Sequence, residues 1–368
     1  TRKLMSGDVK QLTFPPGTEL VFGPQAVRRQ FISDRIAAVF RGWGFTEIIL
    51  PAFDSGETFE GLGESGDQTE LYHLVDREGR RLTLRADFTL IAAKALAIEL
   101  RREHRPIRAS YEGRVYRFAP SGHGHRVEQT QRGLEWVNAP GPVYDAAVIM
   151  MARESLQAVG ADDAILVVGH AGFIHAVLGE QGRRERRLLE ALDHKNPSRI
   201  RQLAERVGLE PETAELLAAL PLLTGGPEVF ASARKHRLNA QAEAALGELE
   251  SLHALLREAG VSDNLLFDLG EVRRSDYYSG FMFKAYHHAV GEDLGGGGRY
   301  NRLFDRFGMD VPAVGFGFNL ARLAEATSNN EYAEAGPERV DPGDEAASLK
   351  RIRELRAEGK AVQLEGGA

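Results

Sequence analysis

The spacing of apolar positions changes several times along the chain, and each change marks an element. After Pro15, Pro16 and Gly17, residues Val27, Phe31, Ile32, Ile36, Val39 and Phe40 recur at helical spacing and share one face. "GFTEIILPAF" follows as a strand, with Pro51 limiting its ladder near the end. "LYHLV" and "RRLTLR" flank the polar turn "DREG" and predict a hairpin. "DFTLIAAKALAIELRRE" is a helix opened by Asp87 and Thr89. "RVYRFAPSGHGHRVEQTQRGLEW" reads as two strands joined by a loop of glycine and histidine, and "PVYDAAVIMMARESLQAVG" as a helix with an apolar face.

From about residue 165 to 260 the pattern is helix-rich, with proline and glycine punctuation, and a helical insertion is expected over about 170–260. From Asn264 onward strands return in "NLLFDLG", "SGFMFKAYHHAV", "GGGGRY" and "VPAVGFGF". Strands on both sides of a helical block predict one interrupted, mostly antiparallel sheet, an α+β layout, in a core domain spanning 1–325. The segment 326–368 has room for one helix and a strand, too little for an independent core.

Composition narrows the class without naming a function. Of the 368 residues, 43% are hydrophobic and 27% charged, the balance of an ordinary globular protein. The absence of cysteine removes disulfides, thiolate metal sites and a cysteine nucleophile. No apolar run approaches the ~18 residues of a membrane span, and a cytoplasmic location is expected. A net charge of −7 argues against a large nucleic-acid surface.

The common motifs fail in turn. "GGGGRY" lacks the Lys-Ser/Thr of a phosphate loop, no G-x-G-x-x-G opens a helix after a strand, and there is no H-E-x-x-H. His123 and His125 read as loop residues, because no carboxylate-histidine cluster accompanies them. His287 and His288 read as exposed or packing residues. No metal and no cofactor is expected.

A set of polar strand positions remains. Gln131, Gly133 and Glu135 alternate, so they share one face with a gap at the glycine, the outline of a small polar pocket. Arg85, Asp87 and Thr89 alternate where a strand gives way to a helix, and Arg273, Asp276, Tyr277 and Tyr278 enter another strand. Acids suit an ammonium, glutamine and tyrosine orient a polar ring, and arginine clamps a carboxylate. Singly these are unremarkable: the tyrosines suit a core, and Arg273 can pair with Glu271 or Asp276. Together they match a free amino acid with a polar side chain.

The ordered blocks also resemble those of class II aminoacyl-tRNA synthetases, in the histidyl-tRNA synthetase branch, and more specifically the regulatory subunits of ATP phosphoribosyltransferase. "GFTEIILPAF" is similar to the first class motif, "RVYRFAPSGHGHRVEQTQRGLEW" to the second and "AVGFGFNLARL" to the third, while "RRSDYYSGFMF" and "GGGGRYNRL" resemble two histidine-specific signatures. "LYHLVDREGRRLTLRADFT" resembles a further block of both families.

The resemblance implies a histidine pocket of Asp87 (a shortened acid), Thr89, Gln131, Glu135, Arg273, Tyr277, Tyr278 and Tyr300, with Arg117 as the motif-two arginine. It also implies a damaged ATP side. Ala119, Asn319 and Ala321 replace the family's glutamate, glycine and glutamate, and His125 replaces a loop arginine. Losing such preorganised groups disables adenylate formation. The implied role is a non-catalytic subunit supplying activation and histidine feedback to a short-form catalytic partner in a hetero-octamer, with a homodimer contact near Pro51. A tRNA substrate is not expected, since only about forty residues follow the third motif. A true synthetase and an amino-acid-binding paralogue with another role are the alternatives.

Overall fold

The computed structural model describes residues 14–59, 71–102, 105–118, 126–271, 277–327 and 338–364. Helix α1 (Pro24–Gly42) buries Ile32, Ile36, Val39 and Phe40, as its spacing requires, but leaves Val27 exposed one turn from the N-terminus. "GFTEIILPAF" is not one strand. It divides into β1 (Thr46–Glu47), parallel to β5 (Ile107–Tyr116), and β2 (Phe53–Ser55), which joins the hairpin β3 (His73–Val75) and β4 (Arg81–Leu84) in a separate three-stranded sheet. The break spans residues 48–52 and includes Pro51, which has no N–H to offer a ladder.

The main sheet has nine strands in the order β1-β5-β6-β12-β11-β10-β7-β9-β8. Its other members are β6 (Glu128–Val137), β7 (Ile165–His170), β8 (Thr224–Gly225), β9 (Leu265–Asp268), β10 (Phe281–Tyr286), β11 (Gly295–Arg299) and β12 (Ala313–Asn319). Only β1–β5 and β7–β9 are parallel pairs, so the mostly antiparallel, α+β expectation holds.

One sheet face, carrying Leu134, Val168, Phe283 and Phe316, joins α1, α3 (Pro142–Ala158) and α9 (Ala240–Glu258) in the larger core. The other face packs against α2 (Phe88–Arg102) and is left open over its centre. The region read as helical contains α4 (Ala171–Arg183), α5 (Arg186–Asp193), α6 (Pro197–Val207), α7 (Pro211–Ala219) and α8 (Glu228–Ala233), but β7 precedes it and β8 interrupts it. Asn196 and Asn239 cap α6 and α9 by accepting from Arg199 and Ala242 N–H. Leu188, Leu192, Leu203 and Leu217 of this block enter the larger core, so the insertion packs onto the sheet. The final segment holds β13 (Glu338–Val340), α11 (Glu345–Ala357) and β14 (Val362–Leu364), with β13 parallel to β14, one strand more than its length suggested.

Arg85 locks the junction between the two sheets. Its Nη1 donates to the carbonyls of Leu50 and Pro51 at 3.1 and 2.9 Å, and its Nε and Nη2 to that of Arg114. Its guanidinium lies 3.9 Å from the Phe88 ring centroid, and Phe88 stacks on Tyr111 at 4.3 Å. A side chain at Gly113 would collide with Arg85, so the glycine makes room for the column. Replacing Arg85 by Met strips a charged donor from several buried carbonyls, and a loss of roughly 3 kcal/mol or more in urea unfolding is expected.

Candidate functional site

Strand register builds the site. Tyr111, Gly133, Gly317, Gly296 and Lys284 stand opposite one another on β5, β6, β12, β11 and β10, so their side chains share one face. The consecutive glycines leave a bare backbone floor across three strands. Above it lies a cleft of about 180 Å³, walled by Asp87 and Thr89 at the start of α2, Gln129 and Gln131 of β6, Tyr277 and Tyr278 before β10, and Arg117, Asp293, Asn319 and Arg322.

The gap expected at Gly133 is already filled. A Cβ there would lie 2.6 Å from the Tyr111 hydroxyl and from the Phe316 carbonyl, so the glycine admits Tyr111 and not a ligand. The open floor lies one strand further, at Gly317, where a Cβ would meet nothing closer than the Tyr111 hydroxyl at 3.6 Å. The strand pattern located the right face but misplaced the vacancy, because the occupant comes from a neighbouring strand.

Glu135 stands on the same face as this floor, two residues along β6 from Gly133, and is 2% exposed. Its Oε1 accepts from the Thr89 hydroxyl at 2.9 Å and from Tyr111 at 3.2 Å, and Oε2 accepts from Tyr300. Opposite it, Gly315 leaves no room for a Cβ, which would fall 2.0 Å from Oε2. Burial pushes the Glu135 carboxyl up to about 8, opposed by the hydroxyls of Tyr300 and Thr89 and reinforced by the charge of Asp87. Burial likewise raises the phenols of Tyr111 and Tyr300. Near neutral pH Glu135 therefore holds a proton, and one surrounding hydroxyl accepts from it.

The structure brings Asp87, Thr89, Arg117, Gln131, Tyr277 and Tyr278 to the cleft wall and buries Glu135 and Tyr300 beside it on the same face. Tyr277 and Tyr278 also belong to the core beneath α2, so the packing and lining readings both apply. Arg273 and Asp276, with Ala119, His123 and His125, lie outside the described residues. Asp87 Oδ1 accepts from Leu90 N–H at 3.1 Å, capping α2, and its Oδ2 is 3.7 Å from Arg117 Nη2. Arg117 Nε donates to the Ala86 carbonyl. Asn319 accepts from Ala321 and Arg322 N–H at the start of α10 (Leu320–Ala326) and donates to Gln129 Oε1 at 3.0 Å. Arg322 donates to the Asp293 carbonyl at 2.8 Å and to Glu292. Sequence reasoning missed Tyr111 and Lys284, whose places follow only from register.

His287, His288 and Asp163 are the group with possible metal ligands among the described residues. His287 Nδ1 accepts from Ala289 N–H, which leaves its Nε2–H to donate to Asp163 at 2.8 Å. A ligating histidine has the opposite arrangement, with its second nitrogen as donor. The cluster is a hydrogen-bonded clamp between β10 and the turn before β7.

Because Glu135 binds a proton in the folded state between about pH 4.5 and 8 and the unfolded chain does not, stability should fall as pH rises through that window. The Glu135→Gln variant should flatten this slope in denaturation series at pH 5, 6.5 and 8. An identical slope in the variant would show that Glu135 is ionised throughout.

Comparison with known proteins gives this geometry a family. A sequence model described as Histidyl-tRNA synthetase matches residues 17–323. The ATP phosphoribosyltransferase regulatory subunit of Moorella thermoacetica is 35% identical over 359 residues, covering 96% of this chain and 92% of the relative. That of Symbiobacterium thermophilum is 33% identical, covering 98% and 92%. A crystal structure from Bacillus halodurans C, described as an ATP phosphoribosyltransferase regulatory subunit/histidyl-tRNA synthetase, superposes with a TM-score of 0.86 at 27% identity, covering 98% of this chain and 94% of that one. Histidyl-tRNA synthetase from Nostoc sp. PCC 7120, at 23% identity and a TM-score of 0.78, shares the fold. With its class II synthetase-like sheet, its glycine-floored cleft and these relatives, the chain belongs to the histidyl-tRNA synthetase-like family, among the ATP phosphoribosyltransferase regulatory subunits.

Proposed function

We propose that this chain is a non-catalytic regulatory subunit that activates a short-form ATP phosphoribosyltransferase and confers histidine feedback on it, in the first step of histidine biosynthesis. The observation that carries the reading is the cleft. Asp87, Thr89, Gln131, Tyr277 and Tyr278 surround a bare glycine floor, offering acid, hydroxyl and amide groups to a molecule of amino-acid size. L-histidine is the proposed effector, with Asp87 and Thr89 facing its ammonium and Gln131 and the tyrosines its ring. Glu135 and Tyr300 form the buried flank of the pocket, and Arg117 and Arg273 complete the proposed set. Histidine then inhibits by binding one state of the complex better than another.

The phosphate end of the cleft supports binding without activation. Arg322 is directed to Glu292 and Asp293, and Asn319 spans to Gln129 where the family has a glycine. No metal or cofactor enters the reading. The partner is the catalytic chain, in a hetero-octamer, with neither tRNA nor membrane involved and a cytoplasmic location. No described helix is long and apolar enough to cross a membrane. A homodimer contact is proposed beside Pro51, where Ile49 is 98% exposed next to the edge strand β1.

Mixing this protein with a short-form catalytic subunit should raise ATP phosphoribosyltransferase activity, and histidine should lower it again. Absence of stimulation, together with histidine-dependent pyrophosphate exchange, would replace the proposal with an aminoacylating role. Gly317→Val places methyls on the open floor and should abolish histidine binding in calorimetry while leaving the unfolding midpoint nearly unchanged. Light scattering of the isolated chain at micromolar concentration should report a dimer, which Ile49→Asp should dissociate.

A further inference from the structure

The cleft has a charge polarity that the amino-acid reading alone does not assign. At the α2 side are the carboxylate of Asp87 and the hydroxyls of Thr89 and Tyr111. At the far end of the same floor stands Lys284, on β10 directly opposite Gly296 and therefore on the glycine face. Three strand steps separate Gly133, covered by the Tyr111 hydroxyl, from Lys284, about 14 Å at the usual strand spacing. Lys284 lines the cleft, and Gly317 and Gly296 lie between it and Tyr111, a span that suits one amino-acid-sized molecule.

The described arginines of the cleft are directed to its two ends. Arg117 is directed to Ala86 and Asp87 at the acidic side, and Arg322 to Glu292 and Asp293 beyond Asn319. Lys284 is the cation whose backbone belongs to the floor itself. Its Nζ lies 2.6 Å from Glu271 Oε1, and both side chains are largely shielded, at 23% and 13% exposure. An ammonium has three N–H donors, so a charge contact with Glu271 does not by itself use up the capacity of Lys284 to bind a ligand oxygen.

We propose that Lys284 is a specificity-determining residue that selects ligands carrying a free carboxylate, with Glu271 both fixing its position and opposing the ligand's negative charge. The assignment rests on the amino-acid reading of the cleft. It adds a discrimination which that reading lacks: an imidazole and an ammonium are common to histidine and its alcohol analogue, and only the carboxylate separates them. A charge-assisted hydrogen bond in a shielded site is enough for such a distinction.

Calorimetric titration with L-histidine and with L-histidinol tests this. The wild-type protein should prefer histidine by about tenfold or more. Lys284→Met should bring the ratio near one by weakening histidine alone, and Lys284→Arg should keep the preference. Glu271→Gln should widen it, because a like charge beside the ligand carboxylate is removed. A Lys284→Met protein that keeps the wild-type ratio would overturn the assignment and move the carboxylate to Arg117, Arg273 or Arg322. If Lys284→Met does not fold, an unchanged ratio in Glu271→Gln overturns it instead. Wild-type protein that binds neither compound would overturn the amino-acid reading and the Lys284 assignment together, whereas equal binding of both by the wild type would overturn the assignment alone.

Discussion

A column of stacked side chains beside the cleft holds the rest in place. Arg85 lies on Phe88, Phe88 on Tyr111, and the Tyr111 hydroxyl reaches across Gly133 to the buried carboxyl of Glu135. The column joins the two sheets at its base, because Arg85 also gathers the carbonyls of Leu50, Pro51 and Arg114. At its top, Glu135 collects hydroxyls from α2, β5 and the segment after β11. A carboxyl this deep is tolerated because it is neutral near physiological pH and because hydroxyls surround it. Each group is expensive to bury alone, and each is satisfied by the next.

The column explains the glycines. A sheet normally presents a side chain at every second residue of every strand, which would fill the space over its centre. Here Gly113 makes way for Arg85, Gly133 for Tyr111 and Gly315 for Glu135, while Gly317 is opposed by nothing near. Three of these glycines serve packing and one keeps a cleft open. Glycine in strand interiors costs backbone entropy and forgoes a packed side chain. The pairing partners on both sides of β12 offset that weakness, since it is an interior strand.

Behind the sheet, the helical insertion and the original helices form one continuous apolar core, so the cleft face and the insertion face share a rigid wall. His170 caps α4 by accepting from Phe173 N–H and reaches Glu248 of α9, and Lys195 pairs with Asp268 at the end of β9.

Much of this was legible in the residues. Helical and alternating periodicities predicted α1, α2, α3, the β3–β4 hairpin and the strands after Asn264, because amphipathic spacing records which face each element buries. The ordered blocks also pointed to the family, and Asp87, Thr89, Arg117, Gln131, Tyr277 and Tyr278 do meet at one cleft. What the residues did not disclose were facts of register and of contact between distant segments. The split of "GFTEIILPAF" between two sheets depends on which partner strand each half meets. That Gly133 houses Tyr111, that Gly317 is the open floor, and that Lys284 stands at its far edge follow from pairings across five strands. Local sequence determines which way a side chain points within its own strand; only the tertiary fold decides which side chain from another strand arrives to fill the space it faces.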